Sequence, residues 1–235
     1  MVDRAERAGF KGALAHRDFR ILLASLTTSG TGDWLYNVAL VVLVLDTTGS
    51  PGWVAAASIG RLVPYVLFSP FGGALADRYG PRRMMIASDL ARAALMGLLA
   101  LVAVTSAPII FAIAIAFLST AAGTPFFPSV AATTPSVVDE KSLAPANGLI
   151  STVDSLSIAL GPALGGVLLL LGPPQVAFVI NALTFVVSAF LLSRLSAAKK
   201  IEIEEVEEQP PLTRQIADGV KALRRRLGWR SSWCC

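Results

Sequence analysis

Apolar residues fall into six long runs along the chain, separated by short clusters rich in Gly, Pro, Ser and charge. The runs cover about residues 21–45, 53–76, 84–105, 109–132, 146–171 and 176–195. Each matches the roughly 20 residues an α-helix needs to cross a bilayer, so each predicts a spanning helix. The breaks read as turns by composition: Asp46 to Gly52, Ser106 to Pro108, and Gly172 to Pro174. The connection over 133–145 carries Asp139, Glu140 and Lys141. The expected fold is an all-α, polytopic membrane protein. Its parts are a basic, partly amphipathic cytoplasmic segment over 1–20, a six-helix transmembrane domain over 21–195, and a cytoplasmic tail over 196–235.

Composition points the same way. Of 235 residues, 54% are hydrophobic and 15% charged, with a mean hydropathy of +0.64, whereas soluble domains carry roughly a quarter charged residues. The first run is too long for a signal peptide, and no small-residue cleavage site follows it. The net charge of +4 does not indicate nucleic acid, because the basic residues collect in loops rather than in a stripe. Cys234 and Cys235 are adjacent and terminal, so no disulfide framework or metal site is readable. No nucleophile–base pair or phosphate-binding glycine loop stands out. An enzyme is disfavoured, and no cofactor is expected.

Charge also sets the direction of the spans. Connections after the first, third and fifth spans contain no Lys or Arg. The opposite side holds Arg4, Arg7, Lys11, Arg17 and Arg20, then Arg78, Arg82 and Arg83, then Lys141, then the basic residues of the tail. Positive residues stay inside, which places both termini in the cytoplasm.

The turn after the second span, Gly73 to Arg83, carries Asp77, Arg78, Arg82 and Arg83, and such a cluster marks a membrane surface. It resembles the loop between helices two and three of the major facilitator superfamily, G-x-L-A-D-R-x-G-R-R. Gly73, Leu75, Ala76, Asp77, Arg78, Gly80 and Arg82 fall in register, and Pro81 replaces the first basic residue after the glycine. The resemblance implies a conformational-gating role for Gly73, Asp77, Arg78, Gly80, Arg82 and Arg83. Gly73 is expected to let a neighbouring helix approach closely.

In the fifth span, Gly161, Pro162, Gly165 and Gly166 resemble the G-P-x-x-G-G signature of exporters in that superfamily. Pro162 removes a backbone hydrogen bond, and Gly165 and Gly166 are expected to permit tight helix contact. Gly32 to Leu40, with the following Asp46 to Pro51, resembles the drug, macrolide and siderophore branch. Pro70 to Leu75 is also similar to Pro162 to Leu168; the two readings left open are an inverted repeat of helix triplets and a chance recurrence.

Charges inside the spans need partners or water. Asp33 lies halfway along the first span and Arg61 halfway along the second, so an Asp33–Arg61 ion pair is expected. It either fixes packing or couples proton entry to transport. Asn37 shares a helix face with Asp33. Asp154, about two turns into the fifth span, either lines an inner vestibule and attracts cationic substrates or snorkels to the surface. Asp89 and Arg92, three apart, read as a local ion pair near the cytoplasmic end. The fourth span lacks the arginine many proton-coupled members carry.

The resemblance implies secondary active efflux of a small molecule by alternating access, with the bilayer and protons as further partners. The family has twelve helices, and this sequence supplies the first six. In the tail, an acidic run from Glu202 to Glu208 precedes an amphipathic segment with Leu212, Ile216, Val220, Leu223 and Leu227 on one face, suited to an anionic membrane surface. The last residues, to Cys235, stand where a seventh span would begin, so the chain reads as truncated or frameshifted. Two alternatives stay open: a remnant that does not transport, and a half-transporter that pairs with a second copy in place of a C-terminal domain.

Overall fold

The computed structural model describes residues 2–105 and 107–196. The acidic run, the amphipathic tail segment and Cys234–Cys235 lie outside the described residues. Helix α1 (Val2–Ala15) precedes α2 (Arg17–Thr48), α3 (Pro51–Tyr79), α4 (Pro81–Thr105), α5 (Ile109–Gly123), α6 (Phe126–Val137), a 3-10 turn (Glu140–Ser142), α7 (Leu143–Leu171) and α8 (Pro174–Ser193). Among the described residues, six stretches are long and apolar enough to cross a membrane, α5 and α6 counting together as one. The fold is an all-α, six-helix membrane bundle.

Helix ends follow local chemistry. Helix α2 runs one turn beyond the apolar stretch and stops at Gly49, whose φ of 61° lies in the left-handed region and whose N–H donates to the Leu45 carbonyl. Glycine takes that conformation without steric cost. Pro51 then opens α3, where its missing N–H costs nothing. The turn from α3 to α4 repeats this logic, with Gly80 at φ 84° followed by Pro81.

The fourth span is not one continuous helix. Pro125 and Pro128 have no N–H to donate, and the chain breaks between Gly123 and Phe126. The break is covered from both neighbours. Ser88 of α4 donates its hydroxyl to the Ala122 carbonyl at 2.7 Å, and the Gly72 backbone of α3 lies against the Thr124 carbonyl.

Helix α2 is central, packed between α7 and α8, and α8 continues onto α4, which packs on α5 and α6. The contact between α2 and α7 is a seam stepping four residues at a time. Gly30, Trp34 and Val38 of α2 meet Ser157, Gly161 and Gly165 of α7 in that order, so the two helices run parallel. The two glycine pairs noted in sequence behave alike. Gly72 and Gly165 are packed, on the fourth and first spans respectively, while Gly73 and Gly166 face open space. Span two meets span four as span five meets span one, the correspondence an inverted repeat of triplets requires.

Two apolar cores stack along the bundle. One, around Phe19, Leu22, Met85, Phe126 and Leu192, lies towards the end that carries α1 and the α3–α4 turn. The other, around Leu40, Val44, Met96, Leu99 and Phe178, lies towards the opposite end. Between them sit Asp33, Asp89, Arg92, Asn181 and Ser188.

Candidate functional site

That polar layer is built around one guanidinium. Arg92 forks, with Nη1 3.1 Å from Asp33 Oδ2 on α2 and Nη2 2.5 Å from Asp89 Oδ1 one helical turn back on α4. Its flat faces rest near aromatic rings, Phe185 of α8 at 4.1 Å and Phe126 of α6 at 4.9 Å. Its stem runs past Gly123, where a methyl group would stand 3.4 Å from Cδ. A planar, delocalised cation suits this setting, donating to two carboxylates while two aromatic rings lie close by.

The two carboxylates differ in access. Asp89 is fully buried, whereas the Asp33 side chain is 37% exposed. Asp33 opens into a small cleft of about 40 Å³ lined by Leu26, Phe126, Phe127, Ile150, Val153 and Asp154 among others. The cleft therefore offers apolar and aromatic walls with two carboxylates, Asp33 and Asp154, while its cation, Arg92, is already engaged.

The expected Asp33–Arg61 ion pair is not the arrangement found. Asp33 pairs with Arg92, and Arg61 stacks 4.8 Å from the ring centre of Tyr36. Arg61 contributes charge near Asp33 without touching it. Nor is Arg92 near a membrane end: it stands eleven residues into α4, about 16 Å at 1.5 Å per residue, in mid-span. The expected contact between Asp89 and Arg92 is present, but it forms half of a larger cluster. The sequence signal was available, since two charges in one apolar span demand partners. What it lacked was the neighbour, because helix pairing is not written in one span. The stretch from Ala121 to Pro128, which has no arginine of its own, packs against Arg92 instead.

Other members of the set fall in several places. Asn37 donates its side-chain N–H to the Asp33 backbone carbonyl at 2.7 Å, tying it to its own helix rather than to the carboxylate. The amide of Asn181 on α8 approaches Asp33, although its Nδ2 makes no aligned hydrogen bond. Asp154 is exposed along the cleft, one turn before the buried Ser157.

At the α3–α4 turn, Arg82 reaches across to α8. It donates from Nε and Nη2 to the carbonyls of Leu192 and Ser193 in the last turn of α8, where the Leu192 carbonyl also accepts from the Leu195 N–H. Arg78 stacks on Tyr79 at 5.6 Å, and Asp77 and Arg83 are exposed. Gly73 has nothing within reach of an added Cβ; the close approach expected there belongs to Gly72. In α7, Gly161 and Gly165 make the tight contacts, Gly166 makes none, and Pro162 lies between them inside the helix.

Exposed side chains mark two kinds of surface. Along the middle of α4 and α8 they are apolar or small, such as Leu90, Leu98, Leu101, Val179, Leu183 and Phe190. On α2 and α7 exposed polar groups are interspersed, including Thr27, Ser151, Thr152, Asp154 and Ser155. The cleft opens on the second kind.

A family model for the Major Facilitator Superfamily matches residues 22–234. The candidate bacilysin exporter BacE of Bacillus subtilis is 32% identical over 191 residues, 80% of this chain and 47% of its own length. Macrolide efflux protein A of Streptococcus pyogenes is 26% identical over 205 residues, 87% of this chain and 49% of its own. The staphyloferrin A transporter of Staphylococcus aureus is 27% identical over 163 residues, 68% of this chain and 41% of its own. The chain spans about half the length of the curated relatives it matches. No solved structure gives a significant match. Six membrane-length apolar segments, a charged α3–α4 turn in the family register and a family model covering nearly all of the chain agree: the protein belongs to the major facilitator superfamily of membrane transporters.

Proposed function

We propose that this chain forms a six-helix unit of a secondary active exporter that works by alternating access. In this reading the transmembrane unit covers 21–195, with 1–20 and the tail from 196 in the cytoplasm. The absence of Lys and Arg from the connections after spans one, three and five supports that orientation. A second six-helix unit, on further sequence or from a second copy, would close the pathway over the face of α2 and α7. Relatives named for efflux of a macrolide and for transport of staphyloferrin A support a small-molecule cargo.

The observation that carries the proposal is Asp33, a mid-membrane carboxylate paired with Arg92 yet open to the cleft. Such a group can exchange its arginine for a proton or for a cationic cargo. Asp154 adds a second negative charge to the same cleft. Amphipathic cations are therefore the favoured cargo, and protons the favoured coupling ion. The test uses proteoliposomes holding the transporter and a fluorescent amphipathic cation under an imposed pH gradient. Gradient-driven movement should vanish in Asp33→Asn and weaken in Asp154→Asn. Unchanged transport by Asp33→Asn would remove Asp33 from the mechanism.

A further inference from the structure

Asp89 takes no part in the cleft, yet it is the most deeply buried charge in the bundle's polar layer. One of its oxygens holds Arg92. The other has no aligned partner and faces Ser188 of α8, whose hydroxyl is likewise without one. A sealed carboxylate with spare hydrogen-bonding capacity is costly unless it serves the neighbouring cation.

We propose that Asp89 is a positioning residue. It keeps Arg92 at its second fork nitrogen, so that Asp33 can surrender its ion pair without stranding the guanidinium. The geometry gives the reason. If Asp33 were the sole partner of Arg92, neutralising it would leave a buried, unpaired cation, which is strongly unfavourable. With Asp89 holding on from one turn below, the arginine stays neutralised while Asp33 turns to the cleft. The layer contains a ready-made alternative partner rather than a redundant acid. This inference rests on Asp33 being the exchanging carboxylate.

Among the described residues, the groups that face Asp33 are few. They are Arg92 and Asp89 on α4, Arg61 on α3, Tyr36 on its own helix and the uncharged Asn181 on α8, with Asp154 of α7 in the same cleft. Removing the Asp89 charge gives both Arg92 nitrogens to Asp33 and deletes a like charge, so Asp33 should hold its ionised form more firmly.

A hydrophobic carbodiimide, which modifies protonated carboxyls, reads this directly when labelled Asp33 is quantified by mass spectrometry across pH. In Asp89→Asn, labelling of Asp33 should require a pH about one unit lower than in the wild type, the scale of a neighbouring charge. An unchanged or higher pH for labelling would overturn the proposal, as would failure of wild-type Asp33 to label at any pH. A second measurement does not need that variant to fold. In Asp33→Asn, Arg92 should remain unreactive to phenylglyoxal, because Asp89 still holds it; a gain in reactivity would equally sink the idea. Neither readout depends on transport. Loss of the efflux reading and loss of this one are therefore separable: wild-type transport by Asp33→Asn strikes the former, the two labelling results the latter.

Discussion

Gly161 of α7 lies directly against Trp34 of α2, so close that a methyl group on the glycine would overlap the tryptophan Cβ and Cγ. The α7 backbone seats the Trp34 side chain there with no room for a methyl group, the use that small residues serve in packing helices in lipid. Gly161→Ala should therefore destabilise the bundle by about 1–3 kcal/mol, the usual cost of overpacking. Gly166→Ala, five residues on but facing open space, should be nearly silent. Thermal unfolding of the two variants in detergent, followed by size exclusion, makes the comparison.

The two intramembrane arginines should differ sharply. Arg92→Ala leaves Asp33 and Asp89 without their common cation, and breaking a buried pair costs about 3–5 kcal/mol. Arg61→Ala forfeits its stacking on Tyr36, worth about 0.5–2 kcal/mol. Yield of monodisperse protein and unfolding temperature should fall far more for the first. Equal losses would mean that Arg61 carries the balancing charge after all.

At the charged turn, Arg82→Ala should take the side-chain donor away from the carbonyls of Leu192 and Ser193 at the end of α8, leaving Leu192 only its backbone partner. Hydrogen bonds from a charged donor contribute about 1.5–3 kcal/mol each when buried, and less here because the residue is half-exposed. Hydrogen exchange over the last turn of α8 should speed up. Arg82→Lys should restore it only in part, since one ammonium cannot reproduce the fork.

Outside the membrane, Asp139 lies 3.5 Å from His16 at the joint of α1 and α2. Ser142 beside it, and then the His16 charge, hold its carboxyl below the ordinary aspartate range. A lowered folded-state value means that the stabilisation is present above the unfolded value, about 3.9. It is lost as pH falls through the lower, folded one. Protection of α1 against hydrogen exchange should accordingly weaken only in strong acid. In Asp139→Asn that acid-dependent change should disappear.

The sequence made the spans legible because a bilayer imposes one length and one polarity on every helix that crosses it. Turn chemistry was equally local: Gly49 and Gly80, each followed within two residues by a proline, end one helix and begin the next. Partnership was not local. Nothing in the spacing of Asp33 and Arg61 reveals that α4, rather than α3, brings the nearer guanidinium. The pairing of Asp89 with Arg92 was visible because three residues along a helix is a contact by construction. Glycine pairs show the same limit. Composition marks them as packing sites, but only the rotation of each helix decides that Gly72 rather than Gly73, and Gly165 rather than Gly166, meets a neighbour.

The layer of charge between the two apolar cores has a consequence for how the chain is made. Helix α4 emerging by itself would bring Asp89 and Arg92 into the membrane centre, each costing about 2.5–3.5 kcal/mol on insertion scales. By then α2 has already been synthesised, and its Asp33 can meet Arg92 during entry. Ser188, which covers the other side of Asp89, arrives only with α8, the last of the six to be translated. Entry of α4, which already carries its own Asp89–Arg92 pair, is then eased further by tertiary contact with α2. The bilayer accepts α4 in the company of α2, and α8 closes the lid.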